Sequence, residues 1–264
     1  YASNVLAEAQ RDAFVRLGQL IEHHAGAREA FAPRARRAGE PLRLALVSQD
    51  FREHPVGWFI EALVRALDRS RVHVTCLHAA PLRDSATERL AEACDAFEDV
   101  SALDDAALCA MARERGFDIA VDLAGHSAGS RLSAFARGLA PVQAMYLGHP
   151  VTTGMSAIHA RLVDSTTDPR GSDHLCVERL VRLDPVFIAF APPRDAPEIV
   201  ARARGAGSPI TFGSFNAVTK VSDACVALWS RVLIAVAGSR LLLKGATLAE
   251  PALRELTRNR FAAC

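Results

Sequence analysis

At 264 residues, half of them hydrophobic and an ordinary share charged, the chain can bury one large domain or two modest ones and reads as globular. Its 31 basic and 30 acidic residues give a formal charge of +1, which argues against a broad electrostatic surface for nucleic acid or an anionic membrane. No apolar run reaches the roughly 18 residues of a membrane span, and the N-terminus carries no basic-then-apolar signal.

In chain order, residues 3–32 read as a partly amphipathic helix, with Leu6, Phe14, Leu17, Leu20 and Ile21 spaced for one face. Residues 32–41, rich in Pro and Arg, break the pattern and read as a linker. Leu42 to Ser48 is an apolar run of strand length, followed by a loop from Gln49 to Pro55 and an apolar helix from about Gly57 to Leu67. Val72 to Leu77 reads as strand, Ser85 to Phe97 and Asp104 to Arg115 as helices, and Phe117 to Leu123 and Val142 to Leu147 as strands. This alternation argues for parallel β-α-β units in an α/β sheet. Residues 191–208 read as a connection. A fresh strand follows from Ile210 to Phe215, then a helix from Ser222 to Val236, a strand from Ser239 to Lys244 and a helix starting near Pro251. One such unit covers too little apolar area to build its own two-sided sheet and core. The six cysteines show no metal-ligand or C-x-x-C spacing, which points to a reducing compartment, hence the cytoplasm.

Open α/β sheets hold ligands outside the carboxyl ends of their strands, and three loops lie at such positions. Ser48 to Pro55 brings Asp50 and His54 together beside a helix N-terminus; alternatively, Asp50 caps a turn and His54 is an exposed loop residue. Asp122 to Arg131 offers glycines for close backbone approach, and Arg131 could hold an oxyanion; it matches neither the dinucleotide fingerprint nor the Walker A loop. Leu147 to Gly154 is the third, again turn-rich. In the later segment, Lys220 stands between a strand and a helix capped by Ser222 or Asp223, where it could neutralise a phosphate leaving group or be a surface lysine.

Three stretches, LRLALVSQDFREHPVGWFIEAL, FDIAVDLAGHSAGSRLSAFARGLAPVQAMYLGHPVTTG and FGSFNAVTKVSDACVALWSRVL, resemble the catalytic core of the O-GlcNAc transferase family, its bacterial members in particular. The resemblance implies a GT-B-type fold: residues 1–40 a helical linker ending a tetratricopeptide region, 41–205 the N-terminal Rossmann-like lobe, and 206–264 the start of the nucleotide-sugar-binding lobe. It implies transfer of GlcNAc from UDP-GlcNAc to Ser or Thr hydroxyls of proteins with inversion, without a metal or other cofactor. It further implies His54 and Asp50 as candidate proton acceptors. Lys220 would contact the donor diphosphate, and Leu147, Gly148, His149 and Pro150 would line the cleft near the sugar. Three positions depart from the family pattern: His149 replaces a tyrosine, Val151 a glycine, and Ala217 a common polar amide. The family's H-T-T-G loop has no counterpart, so this stretch alone is expected to be inactive and to bind UDP weakly. A transferase with another donor or acceptor, or a non-catalytic scaffold lobe, are the competing readings.

Overall fold

The computed structural model describes residues 6–28, 31, 35, 37–192, 196–198 and 208–264. The chain divides into two compact units, Leu6–Arg194 and the residues from Asp195 to Cys264. The boundary expected near 205 falls outside the described residues.

The first unit opens with α1 (Ala7–Ala25), followed by β1 (Leu42–Ser48), α2 (Pro55–Ala66), β2 (Val72–His78), α3 (Ser85–Ala93) and β3 (Ala96–Asp99). It continues through α4 (Asp105–Arg115), β4 (Ile119–Asp122), α5 (Leu132–Arg137), β5 (Val142–Met145), β6 (Ala160–Val163) and β7 (Arg179–Arg182). The seven strands form one parallel sheet in the order β3-β2-β1-β4-β5-β6-β7. The chain runs from β1 outward to β3, then returns to start the other half at β4. The topological switch therefore lies between β1 and β4, where doubly wound sheets open a crevice at the carboxyl edge.

Strand alternation fills both faces. Ala45 and Val47 point to a core shared with Leu108, Cys109 and Ala112 of α4 and Leu132, Ala134 and Phe135 of α5, with Ile21 and Ala25 of α1 packed against it. Leu46, Val74 and Cys76 point the other way, to Val56, Ile60 and Val64 of α2 and Leu90 of α3. Local signals set the helix ends. Asp84 and Thr87 make a reciprocal capping box on α3, and Asp104 caps α4, which stops at Gly116 in the left-handed conformation.

Two expectations change. The inward face of α1 carries Phe14, Gly18, Ile21 and Ala25, whereas Leu6, Leu17 and Leu20 are exposed. The helix expected from Ser85 to Phe97 ends at Ala93, and its last residues become the edge strand β3. Asp95 makes that turn: its carboxylate accepts from the Val74 amide at 2.7 Å and from Arg69 at 2.8 Å, bonds available only beside β2.

The second unit holds β8 (Thr211–Ser214) parallel to β9 (Arg240–Leu243), joined by α6 (Asp223–Ala235) and followed by α7 (Pro251–Ala262). Ser222, rather than Asp223, caps α6 by accepting from the Cys225 amide at 3.2 Å. Trp229 stacks on Phe261, and Arg260 ties α7 to Asp223 and to the Val221 carbonyl. Among the described residues no helix is long and apolar enough to cross a membrane.

Candidate active site

The loops leaving β1, β4 and β5 all emerge at the carboxyl edge, the first two on either side of the switch point. In the β1 loop, the Asp50 amide donates to Ser48 Oγ at 2.9 Å, folding the chain back so that the Asp50 side chain is buried. Its Oδ2 accepts from Gln49 Nε2 at 2.8 Å and its Oδ1 from Arg52 at 3.0 Å. His54 caps α2, with Pro55 at the first helical position, and its Nδ1 accepts from the Val56 amide at 3.3 Å. With Nδ1 so engaged, the neutral imidazole carries its proton on Nε2. Nδ1 also lies 3.8 Å from Asp50 Oδ2. The pair thus offers an anionic acceptor at Asp50 and a donor at His54 Nε2. For His54 to take a proton, the Val56 amide must release Nδ1, and the ring then becomes an imidazolium beside Asp50.

The β4 loop is pinned from below. Asp122 is buried at the end of β4, accepting from Gly125 N at 2.6 Å and Ala124 N at 3.2 Å, and burial pushes its carboxyl up to about 6 despite those bonds. Gly129, at φ +81°, brings this loop against the β1 loop, since a Cβ there would sit 3.3 Å from Gln49 Cγ. The β5 turn locks onto the same loop. His149 N donates to Ala124 O at 3.1 Å, and a Cβ on Gly148 would lie 2.5 Å from the Ala124 carbonyl carbon. Beyond the turn, the buried Glu178 accepts from Thr152 Oγ1 and Thr153 N, each at 2.6 Å, and from the Thr153 hydroxyl. Thr152 to Gly154 is therefore an anchor.

The three loops bring together Asp50, His54, Leu147, Gly148 and the exposed Pro150 at one edge. Leu147 is the one described non-glycine residue with positive φ, +64°, where chain geometry disfavours a branched side chain. Val151, where the family pattern has a glycine, carries no positive φ, so its backbone requires no glycine there. Arg131, offered as an oxyanion holder, donates to Asp105 Oδ1 (2.9 and 3.1 Å) and to the carbonyls of Leu103 (2.9 Å) and Val100 (3.3 Å), bonds that brace the start of α5 against the start of α4. Lys220 ends a 3-10 turn in the second unit and is exposed. Sequence reasoning missed Phe14, His126 and Glu178. The signal for His126 was in hand, since it sits between Gly125 and Ser127 of a loop already singled out. Among the described residues, no cluster of three or more His, Cys, Asp or Glu side chains is placed to hold a metal.

Comparison with known proteins meets this geometry. The sequence model of glycosyl transferase family 41 matches residues 6–190, nearly the whole first unit including α1. The chain belongs to that family. It is similar to the probable UDP-N-acetylglucosamine–peptide N-acetylglucosaminyltransferase SPINDLY of Arabidopsis thaliana, 33% identical over 208 residues, 77% of this chain and 23% of that protein. It is also similar to the UDP-N-acetylglucosamine–peptide N-acetylglucosaminyltransferase of Caenorhabditis elegans, 30% identical over 152 residues, 56% of this chain and 13% of that protein. The structure of an O-GlcNAc transferase from Thermobaculum terrenum, a lysine-to-methionine mutant, superposes with a TM-score of 0.91 at 33% identity, covering all of this chain and 50% of that one. The α/β fold of this family-41 chain is thus that of an O-GlcNAc transferase, with which it shares the GT-B-like architecture. The chain spans about a quarter of the length of the SPINDLY proteins it matches and half of the solved one.

Proposed function

We propose that this chain contributes the first lobe, and the opening of the second, to a protein O-glycosyltransferase that moves GlcNAc from UDP-GlcNAc to Ser or Thr hydroxyls with inversion. The observation that carries the proposal is the family match over nearly the whole first unit, together with three loops leaving the carboxyl edge of its sheet at and beside the switch point. In the reaction, the acceptor oxygen attacks C1 of the sugar, the bond from C1 to the diphosphate oxygen breaks, and UDP leaves with the bonding pair. The attacking hydroxyl loses its proton to a group at the Asp50–His54 pair, where Asp50 is the standing anion and His54 Nε2–H orients a substrate oxygen. Leu147, Gly148 and Pro150 line the sugar end. Lys220, which the family resemblance assigns to the donor diphosphate, would with the amides at the start of α6 offset the charge of the departing group. No metal or other cofactor is required by this scheme. The acceptor is a protein or peptide, the setting cytoplasmic, and adjacent tetratricopeptide repeats would present the acceptor.

The test is donor hydrolysis and peptide transfer with a panel of UDP-sugars, using the protein at the length of its solved relative with His54→Ala, Asp50→Asn and Lys220→Ala variants. Wild type should turn over UDP-GlcNAc, and each substitution should slow it at least about tenfold. Turnover unaffected by any of the three would remove the assignment. The imidazole of His149, where the family carries a tyrosine, favours one second reading, a different donor sugar, and the same panel tests it.

A further inference from the structure

Phe14 lies on the inward face of α1, in the same unit as the β4 and β5 loops. Its ring stacks on His126, with centroids 4.8 Å apart and planes 29° from parallel, and meets His149 at 5.4 Å with a 49° tilt. His126 has a hydrogen bond of its own, from Nε2 to Thr153 O at 3.0 Å. Among the described residues the buried Nδ1 of His149 has no partner, and burial pushes the ring's pKa down. With Nδ1 unpartnered, the ring takes its orientation from what it packs against, and the aromatic surface against it is Phe14.

The rest of α1 is seated just as closely. A Cβ on Gly18 would lie 2.4 Å from the Gly154 carbonyl carbon, and one on Gly154 would lie 2.1 Å from Phe14 O. The helix backbone therefore rests directly on the chain that continues the β5 turn. Glu22 adds a polar clamp, accepting from Ser156 Oγ at 2.8 Å and Ala157 N at 2.9 Å. The turn is thus held on one side by Ala124 and on the other by α1.

We propose that Phe14 is a positioning residue of the donor site: by holding the His149 ring it sets the turn from Leu147 to Pro150, and α1 becomes a working part of the site. This rests on the reading that the turn lines the donor sugar. A displacement of order 1 Å in a group that orients substrate is enough to slow a reaction severely, so a helix residue outside the loops can govern turnover. The conservative partner is Phe14→Tyr, which keeps the ring face. Phe14→Leu keeps much of the volume without the ring, and serves if Phe14→Ala does not fold. Ile21→Ala is the control for mere destabilisation, because Ile21 packs against the core from the same helix.

The experiment is amide NMR of the labelled chain. In Phe14→Ala or Phe14→Leu, the residual dipolar couplings of the Gly148, His149 and Val151 amides, which report orientation and not the lost ring current, should change, while those of β1 and β2 stay in place. Phe14→Tyr should restore the wild-type pattern, and Ile21→Ala should lower Tm without moving the turn. A turn unmoved by loss of the Phe14 ring, or moved equally by Ile21→Ala, overturns the proposal. Donor kinetics on the longer protein separate the two ideas. A moved turn should raise KM for UDP-GlcNAc or lower kcat by about tenfold. A turn that moves without any change in either parameter sinks the donor reading of the turn and leaves its coupling to Phe14 standing.

Discussion

Gly148→Ala is the substitution to which the convergence of loops is most sensitive. The added methyl would lie 2.5 Å from Ala124 C, 2.7 Å from Gly125 N and 2.8 Å from Ala124 O. All three are backbone atoms, so no side chain can swing aside; the two loops must separate by close to 1 Å. Overpacking of this kind costs about 1–3 kcal/mol. The separation also breaks the 3.1 Å bond from His149 N to Ala124 O, a further loss of about 0.5–1.5 kcal/mol. A destabilisation of about 2–4 kcal/mol follows, or a fall in Tm of about 2–4 °C for each kcal/mol in a unit of this size. Trp58 fluorescence during urea unfolding, in a Trp229→Phe background, would report the first unit alone, since the chain has two tryptophans. Gly171→Ala is the comparison: nothing lies within 4 Å of its Cβ position, so only its φ of +97° is strained, at about 1–2 kcal/mol. If Gly148→Ala unfolds within about 0.5 kcal/mol of wild type, the zipped-loop account of the site is wrong.

Three other outcomes are expected. Arg131→Ala should destabilise by about 1–3 kcal/mol with donor KM unchanged, and Asp105→Ala should be strongly non-additive with it in a double-mutant cycle. The pKa values of His78, His126, His149 and His159 are all depressed by burial, His159 also by Arg28, so the unfolded chain binds protons more readily than the folded one. Stability should be complete above the usual imidazole value near 6.5 and fall as pH drops through it toward the depressed values, which urea midpoints at pH 7.5 and 5.5 would show as a loss at the lower pH. Asp122 has the opposite sign: its carboxyl is raised from 3.8 to about 6, so the ionised form carries a cost that protonation relieves between those values. The stability of Asp122→Asn relative to wild type should therefore fall by about 2 kcal/mol between pH 7.5 and pH 4, and a pH-independent difference would show that Asp122 does not titrate this way.

How far the fold could be read depended on where each residue finds its partners. The run from Leu42 to Ser48 was legible because β1 is central, and its alternating residues are buried on both faces by apolar neighbours. The helix α4 was legible because its capping Asp104 and terminal Gly116 are local signals. β6 and β7 were not read as strands. Their sequences, ARLV and RLVR, carry arginines that look like surface, yet Arg161 is buried because Asp168 meets it at 2.7 Å. Four of the six residues of α5 are buried, and a helix so short leaves no amphipathic period to detect. In α1 the period was visible but its phase was not, since what fixes the inward face is the glycine contact between Gly18 and Gly154.

The same logic explains which parts of the site were legible. Asp50 and His54 could be named because one short loop holds both and the turn that joins them is local. The bonds of Arg131 were not legible because its partner Asp105 lies on a different helix. The turn at Leu147 shows the limit most sharply. The family pattern has its glycine at Val151, but the chain bends two steps earlier, where His149 must reach back to Ala124 O and Gly148 must pass against the Ala124 carbonyl. That path places the positive φ on Leu147, at +64°. Which residue carries the strain is thus decided by the neighbouring β4 loop. Substituting Val151 by glycine would relax nothing, whereas any change that loosens Ala124 or Gly125 would release the turn.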